Sequence, residues 1–172
     1  GVCNGCQFLW QLRGLIPGTA HWPRFVRNHS EQFEARFSMV EILEDTPSIF
    51  LKNMQGSKLP VAFAHGEGRA EFSDVTHITK LAEHCQVAVR YIDNRGQSTE
   101  VFPHNPNGSP AGITGVTALD GRVLAMMPHP ERVTRLEANS YYPAKMAEEW
   151  DLEGPWMRIF YNARQWVAAQ NN

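Results

Sequence analysis

The stretch Gly1-Val2-Cys3-Asn4-Gly5 decides the fold prediction, because it has the form of a sharp turn from a strand into a helix. A nucleophile on such an elbow has a strained backbone, and small residues two positions before and after it allow the tight turn. Glycines hold both positions around Cys3, whereas Asn4 and Phe8 hold them around Cys6. The spacing favours Cys3 as a nucleophile and Cys6 as a packing residue, although a small buried cysteine in a Gly-rich turn fits the elbow alone equally well.

The predicted turn also gives Cys3 a distinct electrostatic setting. A thiol at the start of a helix faces free backbone N–H groups and the positive end of the helix dipole, which are expected to lower its pKa. The backbone N–H of Asn4, the residue after the nucleophile, is the predicted donor to an oxyanion. Both features are typical of acyl transfer.

A candidate base lies far downstream in Met127-Pro128-His129-Pro130-Glu131-Arg132. A thiol nucleophile needs a base, and the base needs an orienting group. Two prolines keep His129 out of a helix and hold the segment extended, so that Glu131, two positions on, projects to the same side. A lone histidine between prolines is more often a loop residue, but its pairing with a Gly-flanked cysteine favours a triad of Cys3, His129 and Glu131.

The rest of the chain predicts a mixed order of strands and helices. Hydrophobic alternation predicts strands over 33–43, 59–65, 86–92, 112–118 and 122–127, and helices over 7–13, 75–84 and 155–169. This order predicts an α/β fold with a central, mostly parallel sheet, helices on both faces and a nucleophile-elbow cysteine. Few helices accompany the strands, so part of the sheet is expected upstream of Gly1.

Composition excludes several classes of protein. In 172 residues, 16 Lys and Arg stand against 18 Asp and Glu, and this net charge of −2 argues against nucleic acid or an anionic membrane as partner. No apolar run approaches the roughly 18 residues of a membrane span. Cys3 and Cys6 form a C-x-x-C with no second ligand pair, so no metal site is predicted. The sparse cysteines indicate a reducing, cytoplasmic compartment.

Several separated blocks carry a family resemblance. Gly1-x-Cys3-x-Gly5-x-Gln7, followed far downstream by His129-Pro130-Glu131, resembles the class I (triad) glutamine amidotransferases. The more specific resemblance is to the glutaminase domain of the phosphoribosylformylglycinamidine synthase family, in its large single-chain form. The blocks that carry it are 27–36, 64–69, 105–109, 127–132 and 155–160.

The resemblance implies roles for individual residues. Cys3 would attack the side-chain amide of L-glutamine, His129 would transfer protons, and Glu131 would orient the imidazole. The backbone of Asn4 would contribute to the oxyanion hole. The residues implied to lie near bound glutamine are Gln7, Asn28, His29 and Ser30.

The resemblance also implies a larger assembly. Ammonia would pass to a synthetase domain of the same polypeptide, which uses ATP and Mg²⁺ to convert formylglycinamide ribonucleotide into formylglycinamidine ribonucleotide in de novo purine biosynthesis. No cofactor is then expected in this chain. Residues 1–172 would be a glutaminase domain that is incomplete at its N-terminus and belongs to a larger multidomain chain.

Two alternatives stay open at this stage. One is a stand-alone Cys-His hydrolase, such as a peptidase or a γ-glutamyl hydrolase. The other is a non-catalytic interface domain. The segment His65-Gly66-Glu67-Gly68-Arg69 has a catalytic composition, but Gly-x-Gly outside a nucleotide-binding context is a weak signal, and a structural or channel-side loop is predicted there.

Overall fold

A computed structural model of the chain describes residues 1–142, 144–150 and 153–170. The strands are β1 (Arg24–Arg27), β2 (Glu34–Ile42), β3 (Lys58–His65), β4 (Glu67–Glu71), β5 (Val87–Tyr91), β6 (Ile113–Thr117) and β7 (Leu124–Met126). The α-helices are α1 (Asn4–Gln11), α2 (Thr76–Glu83), α3 (Ala144–Trp150) and α4 (Arg158–Gln170), and single 3₁₀ turns include Pro130–Val133 and Pro155–Met157. Within the described ranges, no helix has the length and apolar character needed to cross a membrane.

The main sheet is antiparallel, so the prediction of a mostly parallel sheet is wrong for these strands. Five strands follow the order β3-β2-β5-β6-β7 with every neighbouring pair antiparallel, and β1 pairs with β4 in a separate antiparallel ribbon. A parallel neighbour needs a crossover of about a dozen residues or more. The connection 118–123 between β6 and β7 is shorter than that. In the described part of the chain, Val2 and Met126 form the one parallel bridge.

Apolar side chains pack on both faces of the sheet. Adjacent residues of a strand point to opposite faces. Accordingly, Leu124 and Met126 of β7 pack in a cluster with Trp156, which precedes α4, whereas Ala125 packs in a second cluster with Cys6 of α1. Helix α2 contributes to the second cluster as well. The fold is therefore a mixed α/β arrangement that holds α1 against the end of β7.

Apolar side chains of one strand and one helix are partly open to solvent. On β2 the alternation predicted from sequence is present, but Phe37 and Met39 are exposed, and the opposite face of the strand is the buried one. The C-terminal helix begins with a 3₁₀ turn that buries Trp156 completely, whereas Phe160 and Val167 of α4 are about half exposed. Periodicity located these elements but did not identify which face is covered.

Candidate active site

The chain makes a sharp turn at Cys3, between the bridge to β7 and the first helix. Val2 pairs with Met126, the Cys3 N–H donates to the Met126 carbonyl at 3.0 Å, and α1 begins at Asn4. Cys3 itself has φ 52° and ψ −113°. A positive φ is strained for a residue with a side chain and persists only where the surroundings enforce it. Helix α1 thus begins three residues before the predicted start at Gln7, directly after the thiol.

Only one of the two flanking glycines is required by sterics. A Cβ on Gly1 would lie 2.6 Å from the carbonyl oxygen of Gly5, which is backbone and cannot move aside cheaply. A Cβ on Gly5 would meet nothing within 4 Å. The argument for small residues on both sides of Cys3 therefore holds for Gly1 and not for Gly5.

These two glycines provide a matched pair of substitutions. In the full-length protein, Gly1→Ala should displace the turn and lower stability by about 1–3 kcal/mol, as expected for overpacking. Gly5→Ala should be neutral or stabilising by up to about 1 kcal/mol, because alanine favours the helix. Urea unfolding of both variants measures the difference. Equal midpoints for Gly1→Ala and the wild type would contradict the steric assignment.

The two cysteines of the C-x-x-C lie in different environments. Burial raises the pKa of the Cys3 thiol, and this outweighs the lowering by the Asn4 N–H hydrogen bond and by the charge of Arg132. The predicted lowering of the Cys3 pKa is therefore wrong in its net direction. Cys6 is fully buried in the apolar cluster under α1, and burial raises its pKa far above the usual range. Cys6 is a packing residue, as predicted, and Cys3 is the accessible thiol.

His129 and Glu131 are in hydrogen-bonding contact, as their spacing in the sequence predicted. His129 Nδ1 lies 2.7 Å from Glu131 Oε1, the His129 ring is buried, and Glu131 is partly exposed. The His129 N–H donates to the carbonyl of Ala62 on β3 at 2.8 Å, which anchors this segment to the sheet. Beyond His129 the chain turns as a 3₁₀ helix from Pro130 and is not extended as predicted, because proline at a first helical position suits a turn.

A third titratable side chain, His65, completes the cluster around the thiol. The Cys3 sulfur and one ring nitrogen from each of His65 and His129 all lie within 4.8 Å of one another. His65 is buried, and neither of its ring nitrogens has a hydrogen-bond partner. Burial lowers the pKa of His65 to about 3, with a smaller contribution from the nearby charge of His129. A neutral imidazole therefore lies beside the thiol at physiological pH.

The prediction of a structural or channel-side loop at 65–69 missed this residue. His65 ends β3, and its backbone carbonyl accepts from the side-chain amide of Asn28 at 2.9 Å. The signal was present in the strand pattern, since β3 buries alternate residues and His65 falls on the buried side. A histidine on the buried face at the end of a strand indicates a functional residue more strongly than the glycines that follow it.

The implied substrate contacts Gln7 and Asn28 lie close to the cluster and make structural hydrogen bonds. The Gln7 amide nitrogen donates to the Phe25 carbonyl at 3.1 Å and to Glu67 Oε2 at 3.2 Å, which ties α1 to β1 and β4. Asn28 is buried behind His65 and leaves its Oδ1 without a partner. Gln7 and Asn28 therefore hold the elements around the cluster in place.

The other two implied contacts, His29 and Ser30, are exposed. They line a cavity of about 340 Å³ that does not include the Cys3 cluster among its walls. The ring of His29 lies against Gly108, where a Cβ would be 2.3 Å from Nδ1. The other residues that line the cavity are Glu34, Glu100, Phe102, Asn105, Pro106 and Gly108. A contact of His29 or Ser30 with glutamine stays a prediction.

Comparisons with known proteins give the family. The model of the CobB/CobQ-like glutamine amidotransferase domain matches residues 1–167. The chain belongs to this family. It is also similar to a chain of the PurLQS structure from Thermotoga maritima, with a TM-score of 0.63 and 24% identity. That match covers 97% of this chain and 60% of the Thermotoga chain. The amidotransferase resemblance stated from the sequence is confirmed, and the Thermotoga structure shares the fold.

Proposed function

We propose that this amidotransferase domain hydrolyses L-glutamine with Cys3 as nucleophile, His129 as general base and acid, and Glu131 as the orienting carboxylate. One observation carries the proposal. The Cys3 sulfur lies within 4.8 Å of a His129 ring nitrogen, and Glu131 holds Nδ1 of the same ring at 2.7 Å. A nucleophile beside a base that is itself hydrogen-bonded to an orienting carboxylate is the arrangement of a catalytic triad.

The first step is attack of sulfur on the side-chain amide carbon of glutamine. The carboxylate of Glu131 accepts from Nδ1–H, which leaves the lone pair of His129 on Nε2. Because burial keeps the Cys3 thiol protonated, His129 takes this proton as the C–S bond forms. The negative charge that develops on the amide oxygen requires N–H donors, and the Asn4 N–H, which now bonds the Cys3 sulfur, is the nearest candidate.

The second step releases ammonia and restores the thiol. The proton on His129 passes to the amide nitrogen as the C–N bond breaks, which leaves a glutamyl thioester on Cys3. Water then attacks the thioester carbon while His129 takes a proton from it. His129 returns that proton to the Cys3 sulfur as the C–S bond breaks, which gives glutamate and the free thiol. Glutamine and water are thus converted into glutamate and ammonia with no change of oxidation state.

The ammonia would be used by an ATP- and Mg²⁺-dependent synthetase domain that makes formylglycinamidine ribonucleotide in the cytoplasm. Support for this larger assembly comes from the sequence blocks outside the triad and from the shared fold with the PurLQS chain, of which this chain covers 60%. A stand-alone γ-glutamyl hydrolase or peptidase would use the same triad without such a partner. The substrate of the coupled reaction therefore needs its own test.

The glutamine analogue 6-diazo-5-oxo-norleucine tests the nucleophile. We expect the full-length protein to gain one adduct by intact-mass analysis, with fragmentation placing it on Cys3. The adduct should be lost in Cys3→Ala and kept in Cys6→Ala. A folded protein that gains no adduct would support the non-catalytic interface domain, and an adduct on Cys6 would refute the choice of sulfur. Turnover of γ-glutamyl peptides in preference to free glutamine would favour the stand-alone hydrolase.

A further inference from the structure

Three side chains that are distant in the sequence meet at the Cys3 turn and have the chemistry of a metal site. One potential ligand atom from each of Cys3, His65 and His129 lies within 4.8 Å of the other two. Thiolate and imidazole are the ligands that zinc favours in proteins. The triad accounts for Cys3 and His129 but leaves His65 without a role.

The two histidines of this cluster have ring nitrogens without hydrogen-bond partners. His65 is 4% exposed and His129 is 8% exposed, yet both ring nitrogens of His65 and Nε2 of His129 lack hydrogen-bond partners. A buried polar atom without a partner costs free energy and calls for an explanation such as an ion or a ligand. These nitrogens belong to the two histidines that contribute a ring nitrogen to the cluster with the Cys3 sulfur. A cation at this point would satisfy at least one nitrogen of each ring.

The outer contacts also fit a metal site. A zinc-ligating histidine typically donates its other ring N–H to a carboxylate, which fixes the ring and strengthens the ligand. His129 Nδ1 makes this contact with Glu131 Oε1 at 2.7 Å. His65 is held from behind through its backbone carbonyl by Asn28. The Glu131 contact therefore orients the His129 ring, and the Asn28 contact holds the backbone of His65.

The ligand atoms of the cluster would have to move only slightly closer together to bind zinc. With zinc–sulfur bonds of about 2.3 Å and zinc–nitrogen bonds of about 2.0 Å, ligand atoms in a tetrahedral site lie roughly 3.3–3.6 Å apart. The cluster lies within 4.8 Å before any metal binds. A rotation of the partly exposed Cys3 side chain would close the difference, and water could then occupy the fourth position.

We propose that Cys3, His65 and His129 bind Zn²⁺ and that the bound zinc blocks the glutaminase reaction. Binding would release the thiol proton to solvent and occupy both the sulfur lone pair and the His129 lone pair. Neither attack on the amide nor proton transfer could then occur. The binding half of this inference stands on geometry alone, whereas the inhibition half rests on the proposed function.

Metal binding can be measured without any assay of activity. The full-length protein, stripped of metal, is titrated with Zn²⁺ against a chromogenic chelator and with Co²⁺ by absorption spectroscopy. We expect a thiolate-to-cobalt charge-transfer band, visible bands of a tetrahedral site, and displacement of Co²⁺ by Zn²⁺. Zinc should also protect Cys3 from iodoacetamide in the wild type. Absence of the thiolate band, with Cys3 alkylated equally with and without zinc, would overturn the proposal.

Variants separate this cluster from other ligands on the protein. His65→Gln should weaken zinc binding at least about tenfold, and Glu131→Gln should weaken it by about 10–100-fold through the outer contact. Cys85→Ser, which changes a free thiol outside the cluster, should bind zinc as the wild type does. Circular dichroism confirms that each variant is folded. Undiminished binding by folded His65→Gln would refute the assignment of this ligand.

Inhibition is measured separately, as glutamate release from glutamine. We expect zinc to inhibit the wild type, a chelator to restore activity, and the residual activity of His65→Gln to need at least about tenfold more zinc for half-inhibition. Zinc binding in a protein that never hydrolyses glutamine would refute the proposed function and leave the metal site standing. Glutamine hydrolysis without zinc binding would refute the metal site alone.

Discussion

On the proposed function, replacement of Cys3 by alanine is expected to abolish the glutamine-dependent reaction of the full-length protein and to leave an ammonia-dependent reaction intact. Without the sulfur no thioester can form, and loss of one member of a nucleophile–base pair typically lowers the rate by roughly 10⁴-fold or more. Added ammonium would bypass the proposed glutaminase site, because the proposed synthetase domain would use ammonia from either source. The measurement is formation of the amidine product with glutamine or with ammonium chloride as nitrogen donor.

Cys85→Ser is the matched control for this experiment. Cys85 is a free cysteine that lies outside the Cys3 cluster, so its loss should leave both reactions at the wild-type rate. Loss of both reactions in Cys3→Ala would indicate a structural defect at the turn. Retention of the glutamine-dependent reaction would remove Cys3 from the mechanism.

The local features of this site could be predicted because they depend on neighbours in the sequence. His129 and Glu131 are two positions apart, and the structure pairs them. The strand predicted over 59–65 is β3 (Lys58–His65), and the helix predicted over 75–84 is α2 (Thr76–Glu83). Alternation and helical spacing are short-range signals, and the flanking turn residues mark where they stop.

Strand pairing could not be predicted in the same way. The order of the predicted strands and helices predicted a mostly parallel sheet, yet the named strands pair antiparallel throughout. Pairing depends on contacts between strands that lie far apart in the chain, such as β2 with β5. In the sequence, the short connection between β6 and β7 indicates antiparallel pairing, because parallel neighbours need a long crossover.

Two further features of the site differ from the prediction: the direction of the Cys3 pKa shift and the presence of His65 beside the thiol. The helix N-terminus does lower the Cys3 pKa, through the Asn4 N–H, but burial is the larger effect and cannot be read from the motif. His65 and Cys3 are brought together by β3 and by the bridge between Val2 and Met126, and no single short segment contains both. A spacing rule for metal ligands considers short segments, so it does not detect a cluster of side chains that come from three separate elements.

The largest expected loss of stability follows from Trp156→Ala. Trp156 is fully buried in the cluster formed with β2 and β3, and its indole N–H donates to the Pro60 carbonyl at 2.7 Å. Removing such a side chain leaves a cavity and an unpaired carbonyl, and typically costs about 3–5 kcal/mol. Urea unfolding of the full-length protein, monitored by circular dichroism, measures the loss. Phe160→Ala, at a 46% exposed site on the following helix, should change stability by no more than about 0.5 kcal/mol.

Trp156→Phe separates packing from the hydrogen bond, because it keeps an aromatic ring but removes the indole N–H. It should lower the free energy of unfolding by about 1–3 kcal/mol through the unpaired Pro60 carbonyl and the smaller ring.

Loss of the Trp156 side chain should also affect the active site, because β3 ends in His65 and the Ala62 carbonyl of β3 holds the backbone of His129. Loosening β3 should therefore lower glutamine turnover at temperatures below the unfolding transition, whereas Phe160→Ala should not. Wild-type turnover in a Trp156→Ala protein that is measurably destabilised would show that the site does not depend on this support.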